Sequence, residues 1–487
     1  MFPNTQSLDY RQLARAMMSE FGGMTQKAVS STPTATWGHG RGGLFSTPGL
    51  ARPVFSAMIL PKKGLQSILP VRYSNEVNPL YGIVTGVTDT TGSEPTGVCD
   101  DPPVAGLTKL CTHSFVFGRL SRMTRVYNID RAGEVTNRGE FLDFQVFGDP
   151  LTENPNVPSL SPAANVQEMA RRELSKAVFE LAISWSRDFA RLTYTGSPTN
   201  NTAGGGHMEF WGLDTLINTG YRDAISGQAC AAADSIVRSF NNRNVDSYST
   251  TIVKEITWIF RNLKFLAAHA GLDPVNWAMA MPFGLFYALT DIWPCAYLSY
   301  RCQVASGSTQ FLDSGEVEKL RSDMRGDLTN YTGQYLLIDG QKIPVVIDDA
   351  IPETQNAGSS FTSDIYFVPL TVLGNTPVTY MEYYNMDGPG GPMEMANFFA
   401  PQGSFYTSDG GRFLWHRKPP TNMCVQMLAL TRPRLLLLTP YLAARLTDIT
   451  YVPLVHEREW EVDASYYVNG GRTAQDTTLP SYFTPTS

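Results

Sequence analysis

Three glycines near the start of the sequence have the spacing of a nucleotide-binding loop. Gly38, Gly40 and Gly43 match the pattern G-x-G-x-x-G, in which backbone amides approach a pyrophosphate. That fingerprint requires a strand before the first glycine and a helix after the last one. Here the sequence on both sides is rich in Thr and Pro and is typical of a loop. The spacing therefore does not predict a nucleotide site.

Metal and acid–base chemistry would need ligands or carboxylates that the fold brings face to face. The six histidines never fall two to five residues from one another, so no pair of them starts a zinc site. Asp100–Asp101 and Asp348–Asp349 are adjacent carboxylates, and neighbouring residues on a strand point to opposite faces. We interpret them as turn and strand-end residues. The sequence predicts no catalytic, cofactor or metal site, and hence a protein that is not an enzyme.

Composition narrows the class of protein further. Charged residues are 17% of the 487 residues, against about 25% in an ordinary soluble domain, and the net charge is −7. The 41 glycines and 32 prolines exceed their usual shares of about 7% and 5%. A hydrophobic content of 43% argues against intrinsic disorder, and the acidic balance disfavours a primary nucleic-acid binder. These features indicate a globular chain with many turns and a surface that partners cover.

The ends of the sequence and its cysteines indicate the compartment. No charged segment followed by an apolar run stands near Met1, and the apolar run at 435–438 is far too short to span a membrane. We therefore expect synthesis in a cytosol and no contact with a membrane. Six cysteines are too few for a disulfide framework, so free thiols are expected. Cys99 and Cys111, which flank a loop, are the one candidate disulfide pair.

The first 150 residues predict two projections with little core of their own. Residues 8–21 have the periodicity of a helix with a narrow apolar stripe, and residues 25–53 read as an extended arm. Between residues 61 and 150, short β-type runs at 81–87, 114–117 and 141–147 predict a long hairpin. Such segments must be ordered by contact with another surface, such as another subunit.

The rest of the sequence predicts a mixed body of helices and strands. Apolar residues recur at helical spacing from about 162 to 194, with Ser161 as N-cap and Gly196 as stop, which predicts a very long helix. A helix at 250–270, a strand at 277–281 and a helix that Pro294 ends or kinks follow. Asp339–Gly340 predicts a two-residue hairpin turn, and a strand is expected at 364–370. A loop-rich region and an apolar set at 424–438 complete the body.

This order of elements resembles that of the tailed-bacteriophage major capsid proteins, which share the Hong Kong phage-type capsid fold. Residues 138–144, leading to Asp149 and Pro150, look like the return limb of that family's extended loop. Residues 337–352 are similar to the family's hairpin motif l-G-x-P-V-x-x-x-d-x-i-P, and residues 364–368 are similar to the strand after it. The resemblance extends from the arm to about Pro453.

The resemblance implies an α+β capsid fold and a set of regions. These are an N-terminal arm at 1–60, an extended hairpin loop at 61–150, a peripheral domain with the spine helix at 151–332, a mainly axial domain at 333–450 and a C-terminal tail at 451–487. It also implies a subunit that forms hexamers and pentamers of an icosahedral shell around double-stranded DNA. Further expected partners are a portal and separate scaffolding or decoration proteins.

Candidate contacts between subunits follow from the projections. They are Leu13, Met17, Trp37 and Phe45 in the arm, Glu94, Asp100 and Asp101 in the extended loop, and Arg119, Arg122 and Arg125 after it. The three arginines form either a solvated face or one side of an intersubunit charge pair, because Arg suits bidentate interface contacts. Two other classes of protein remain as alternatives, namely an encapsulin-like nanocompartment shell and a cytosolic α/β enzyme.

Overall fold

A computed structural model describes most of the body of the chain. It covers residues 64–76, 79–87, 107–124, 127–128, 166–200, 208–297, 314–328, 332–356, 360–387, 405–408, 412–417, 424–425 and 427–452. The predicted helix at 8–21, the arm, the return limb at 138–144 and the tail after residue 452 lie outside these residues.

The described elements are a first run of strands, a group of helices with two strands among them, and a second, longer run of strands. The helices are α1 (Val166–Thr195), α2 (Leu213–Leu216), α3 (Ser249–His269), α4 (Phe283–Tyr297) and α5 (Ser314–Arg325). The first strands are β1 (Val71–Ser74), β2 (Leu80–Val87), β3 (Thr108–Ser114), β4 (Leu120–Met123), β5 (Tyr127–Asn128), β6 (Ile236–Asn244), β7 (Asn276–Met281), β8 (Tyr335–Ile338), β9 (Gln341–Ile347) and β10 (Thr354–Gln355). The later strands are β11 (Phe361–Val372), β12 (Thr376–Pro377), β13 (Thr379–Tyr384), β14 (Phe405–Ser408), β15 (Phe413–Arg417), β16 (Cys424–Val425), β17 (Met427–Thr431), β18 (Pro433–Leu437) and β19 (Ala444–Tyr451). This mixture confirms the α+β class.

The largest unit is an eight-stranded mixed sheet. Six of its strands run in the order β6-β19-β11-β7-β9-β8, while β10 and β12 pair with β11. The β6–β19 and β7–β9 pairs are parallel. Strands β7 and β11 are almost continuously buried, as expected when both faces of a sheet are covered. One face packs on Ile252, Ile256 and Ile259 of α3 and on Leu285 and Phe286 of α4.

A second apolar cluster joins the long helix to two smaller sheets. Helix α1 has 30 residues and is about 45 Å long. Its C-terminal half buries Trp185 and Phe189 against Tyr383 of the three-stranded β1-β13-β18 sheet and Phe413 of the four-stranded β14-β15-β17-β4 sheet. The helix thus acts as a support for both small sheets.

Local chemistry accounts for the elements that the sequence predicted. Helix α1 ends just before Gly196 as expected, and α3 and β7 match their predictions within two residues. Asp339 and Gly340 have φ values of 48° and 76°, which is the left-handed conformation that a tight turn between β8 and β9 requires. These predictions are confirmed because each depends on residues close in sequence.

Three predictions differ from the structure. The hairpin limb expected at 114–117 lies earlier, because the chain leaves the ladder after Ser114 and buries Phe115 and Phe117. The region called loop-rich after Leu370 holds the four short strands β12–β15. Helix α4 continues through Pro294, so of the two outcomes predicted for this residue, an end or a kink, the end is excluded. The proposed domain boundaries stay a prediction, and the large sheet takes strands from both sides of residue 333.

Candidate functional site

The β2–β3 hairpin stands apart from the three larger sheets of the described fold. Its two strands form a sheet of their own, with Leu80 opposite Ser114 and Val84 opposite Leu110. The ladder is irregular between Val84 and Gly86. Two-stranded hairpins are marginally stable alone in water, so this one depends on contacts at its base.

The first base contact is a buried ion pair, here named the ionic anchor. Arg434 of β18 is 0% exposed and donates hydrogen bonds from Nε and Nη2 to Glu382 Oε2 of β13, the first at 2.5 Å. Its Nη1 donates to the carbonyl of Phe115 at 3.1 Å, and its Nη2 also donates to the Tyr81 hydroxyl at 3.1 Å. The guanidinium thereby joins the three-stranded sheet to both ends of the hairpin base.

The environment of the ionic anchor is largely apolar. The Arg434 guanidinium lies 4.0 Å from the centre of the Phe117 ring, and Tyr81 packs edge-on against Phe115 with ring centres 5.5 Å apart. Burial raises the pKa of Tyr81 well above its usual value, so its hydroxyl remains a neutral donor to Glu382. A buried charge pair of this kind fixes geometry, because either partner alone would be strongly unfavourable.

The second base contact is a loop at residues 221–230, here named the clasp loop. It lies along the free edge of β3, where the Ala224 amide donates to the Thr112 carbonyl at 2.8 Å and the Thr112 amide donates to Asp223 Oδ1 at 2.7 Å. The Thr112 hydroxyl donates to the same carboxylate oxygen. The rings of His113 and Tyr221 meet edge to face at 4.9 Å. The clasp loop therefore holds the strand by its backbone and its side chains.

A disulfide joins the clasp loop to the hairpin and corrects the expectation of free thiols. Cys111 on β3 is bonded to Cys230, 119 residues away in sequence. Cys111 therefore forms no disulfide with Cys99, which was its candidate partner in the sequence. The pairing arises because the fold places the end of the clasp loop beside β3. A native disulfide typically contributes about 2–4 kcal/mol, mainly by restricting the unfolded chain.

Two ionisable groups in this contact have shifted pKa values. Hydrogen bonds from Ser226 and Thr112 lower the pKa of Asp223 well below its usual range. Burial lowers the pKa of His113, while the nearby charge of Asp223 acts in the opposite direction. The Nε2 atom of His113 lies 3.7 Å from Cys111 Sγ. At neutral pH the junction therefore holds a charged carboxylate and a neutral imidazole.

The outer face of the hairpin is apolar and exposed. Val84 and Leu110 are direct partners on this face and are 63% and 56% exposed, and Leu80 and Val87 lie on the same face. Leu107, the residue before β3, is 78% exposed. Since large apolar side chains clustered in water mark interaction surfaces, this face is a candidate interface.

Two of the arginines predicted as intersubunit contacts lie among the described residues. Arg122 on β4 forms an ion pair with Asp188 of α1 within the same chain. Arg119 is exposed, and its backbone amide donates to the Met208 carbonyl at 2.7 Å. The structure does not bring these two side chains to the hairpin. Leu13, Met17, Trp37, Phe45, Glu94, Asp100, Asp101 and Arg125 lie outside the described residues, and all ten remain predictions.

Asp348 is a strand-end residue, as its position in the sequence indicated, but it is also a buried junction. Its carboxylate accepts hydrogen bonds from the Leu65 amide at 2.8 Å, the Tyr194 hydroxyl at 2.8 Å and the Ala350 amide at 3.0 Å. Burial raises the pKa of Asp348, and the three hydrogen bonds oppose that shift. This carboxyl joins the chain before β1, the end of α1 and the end of β9.

Sequence reasoning missed the residues that hold the hairpin. Arg434 and Glu382 lie in short apolar or aromatic runs, where a single charge among β-type residues is a signal of a buried pair. Cys111 and His113 are two residues apart, a spacing that places both on one face of a strand. Cys230 has no local signal, since its partner is set by the fold.

The described residues contain neither a metal site nor a helix that could span a membrane. In that part of the chain no group of three or more His, Cys, Asp or Glu side chains could hold a metal ion. Every helix described there is too short or too polar to cross a membrane.

Comparison with known proteins shows likeness in structure. No protein-family model matches the chain, and no curated protein sequence does so either. A capsid chain of cyanophage A-1(L) aligns with 83% of this chain and 97% of its own, at 11% identity and a TM-score of 0.47. A capsid chain of a native GTA particle aligns with 86% and 99%, at 11% identity and a TM-score of 0.39. An encapsulin, SrpI of Synechococcus elongatus PCC 7942, aligns with 81% and 89%, at 10% identity and a TM-score of 0.35.

Proposed function

We propose that this chain is a major capsid protein, the structural subunit of the icosahedral head shell of a tailed bacteriophage. The observation that carries the proposal is the apolar outer face of the β2–β3 hairpin. Val84, Val87 and Leu110 on this face are each more than half exposed. The hairpin is nevertheless fixed at its base by a buried ion pair and a disulfide. An element fixed in this way, with an apolar face outward, is suited to lie on a neighbouring subunit.

The neighbour that fits best is a second copy of the same chain. Most soluble oligomers are built from identical subunits, and a ring or shell arises when one surface binds a different surface of the next copy. The low charge content of 17% fits a chain much of whose surface is covered in this way. The sequence resemblance to capsid proteins at residues 138–150 and 337–368 supports the same conclusion.

The assembly would consist of hexamers and pentamers closed around double-stranded DNA. A net charge of −7 favours only weak, non-specific contact with DNA, so densely packed DNA would not adhere to the wall. A portal and separate scaffolding or decoration proteins are further proposed partners, and no membrane is involved. The protein would be made in the host cytoplasm and would reside in the virion, where it would act as a structural protein and not as an enzyme.

The proposed contacts include the segments that the sequence assigned to projections. Leu13, Met17, Trp37 and Phe45 of the arm and Glu94, Asp100 and Asp101 of the extended loop would lie on neighbouring subunits. Arg119, Arg122 and Arg125 belong to the same proposed set. Deletion of residues 1–53 tests the arm, since we expect a folded body that assembles poorly. Normal assembly of the deleted chain would contradict that role.

The direct test of the proposal is the mass and shape of the purified protein. We expect light scattering to detect particles of many subunits and electron cryomicroscopy to resolve a closed shell. A stable monomer or dimer under all assembly conditions would contradict the proposal. Double-stranded DNA inside particles from an infected host would separate a phage coat from an enzyme-filled compartment.

A charge on the outer face of the hairpin tests the observation behind the proposal. We expect Leu110→Asp to leave the subunit folded and to reduce shell yield at least about tenfold, because the charge would have to be buried at an interface. Ile225→Asp is the matched control, since Ile225 is 71% exposed at the tip of the clasp loop. Equal yields for Leu110→Asp and the unmodified chain would exclude the outer face as a contact.

A further inference from the structure

The disulfide is the covalent connection between the hairpin and the body. Cys111 lies on the inner face of β3 and is 1% exposed, whereas Cys230 ends the clasp loop and is partly exposed. The clasp loop is itself tied to the body, because the Tyr221 amide donates to Asp234 Oδ1 at 2.8 Å and the Tyr221 hydroxyl donates to the Leu216 carbonyl. Breaking the bond would leave a hydrogen-bonded contact at one strand edge and the ionic anchor.

The two sulfurs differ in how they can be reached. An external thiol or disulfide is expected to reach Cys230 first, because this residue is partly exposed while Cys111 is 1% exposed. The imidazole of His113 lies 3.7 Å from Cys111 Sγ. Because burial lowers the pKa of His113, its imidazole is neutral near pH 7 and has one ring nitrogen that can accept a hydrogen bond from a Cys111 thiol. The junction thus combines a partly exposed cysteine, a buried cysteine and a neighbouring hydrogen-bond acceptor.

We propose that Cys111 and Cys230 form a reversible redox latch, which fixes the hairpin on the body when oxidised and lets it move when reduced. The latch concerns the mobility of the subunit itself and does not depend on the proposed shell function. Intracellular thiol pools keep such bonds reduced, and extracellular conditions oxidise them. The hairpin would therefore be movable in the first environment and fixed in the second.

The closing reaction is thiol–disulfide exchange with a low-molecular-weight disulfide such as oxidised glutathione. The Cys230 thiolate attacks one sulfur of this disulfide, its S–S bond breaks, and one glutathione thiolate leaves. The Cys111 thiolate then attacks the Cys230 sulfur, the protein disulfide forms, and the second glutathione thiolate leaves. The two cysteines lose two electrons and two protons, and the two departing glutathione thiolates take them up.

The test measures amide hydrogen exchange of the full-length chain in reduced and in oxidised glutathione. We expect the amides of β2 and β3 to exchange about tenfold faster, or more, in the reduced buffer, because local opening no longer works against a covalent bond. Peptides from β11 are the internal reference, and their exchange should be equal in both buffers. Alkylation and peptide mass spectrometry identify which cysteines are free in each sample.

Matched variants separate the latch from other effects of the buffers. Cys230→Ser should show fast exchange of β2 and β3 in both buffers, whereas Cys424→Ser should keep the full response. Cys111→Ser should accumulate a glutathione adduct on Cys230, as expected for the sulfur that reacts first. If a variant does not fold, hydrogen exchange of the unmodified chain in the two buffers remains the test. Equal exchange of the hairpin in both buffers, or free thiols at both positions after oxidation, would overturn the proposal.

Discussion

The eight-stranded sheet and the β2–β3 hairpin are held in place by different forces. The sheet buries Met279, Ile365 and Phe367 completely and packs under two helices. The hairpin is held near its base by Arg434, which contacts Tyr81 and Phe115, and halfway along β3 by the Cys111–Cys230 bond. The sheet owes its stability to apolar area removed from water, and the hairpin owes its position to a few specific contacts.

This difference makes the two regions separable. Changes in the sheet should lower the free energy of unfolding of the whole body. Changes in the anchors should release the hairpin at a smaller cost, and changes on its outer face should leave the isolated subunit unaffected. Such a division is useful for a protein in which one element must bind a neighbour while the body remains rigid.

The largest expected effect is in the sheet. Phe367→Ala should lower the free energy of unfolding by about 3–5 kcal/mol, because the side chain is 0% exposed and its loss leaves a cavity. Denaturant unfolding followed by circular dichroism measures the change. Phe265→Ala is the matched control, since that ring is 60% exposed on α3 and its loss should cost less than about 0.5 kcal/mol. Similar losses for both variants would remove the distinction between core and surface.

The ionic anchor should give the next largest effect. Arg434→Met should destabilise the protein by about 3 kcal/mol, because Glu382 is then left charged and buried without its partner. The double variant Arg434→Met with Glu382→Leu should recover most of that loss, since no charge remains to be buried. The same unfolding measurement applies. A double variant as unstable as the single one would mean that the ion pair stabilises the folded protein by more than it costs to bury its two charges.

Acid should loosen the clasp loop through Asp223. Because hydrogen bonds lower the pKa of Asp223 in the folded state, its contribution to stability is complete above the unfolded pKa of about 4 and is lost as the pH falls through the lowered folded pKa. The difference in Tm between the unmodified chain and Asp223→Asn should be constant from about pH 8 to 5 and shrink below about pH 4. Thermal unfolding across this range measures it. A difference that grows toward low pH would contradict the direction of the shift.

The smallest expected effect is on the outer face. Val84→Ser should change the free energy of unfolding of the isolated subunit by no more than about 0.5 kcal/mol, since the side chain is 63% exposed. Denaturant unfolding of unassembled protein is the measurement. A loss above about 1 kcal/mol would indicate that another part of the same chain covers this face.

Local patterns in the sequence predicted helices, strands and turns, but they did not predict contacts between residues far apart in the chain. The Asp339–Gly340 turn follows from two residues, and α1 and α3 follow from spacing of three and four residues. Strand β13 was missed because Gly374, Asn375 and Pro377 mark the segment as a loop, although its Thr379–Tyr384 run is rich in aromatic residues. The hairpin was predicted, but its second strand, β3, was placed several residues too late in the sequence.

The contacts that fix the hairpin depend on pairing over long sequence distances. Cys111 and Cys230 are 119 residues apart, and Arg434 meets the Phe115 carbonyl across 319 residues. Periodicity reports which face of an element is buried, but it does not identify the segment that lies against it. The candidate interface could therefore be placed from sequence as a projection with little core, while its anchors required the fold.

The position of β19 in the large sheet has a consequence for the order of folding. Of the described strands it is the last in sequence, yet it lies between β6 and β11, and β6 has no other partner in the sheet. During synthesis the edges of β6 and β11 must stay unpaired until residue 451 has left the ribosome. Long-range pairing of this kind is slow and leaves strand edges open to aggregation. The nascent chain therefore completes its sheet only after synthesis of this strand, and protection by a chaperone would be most useful in the interval before it.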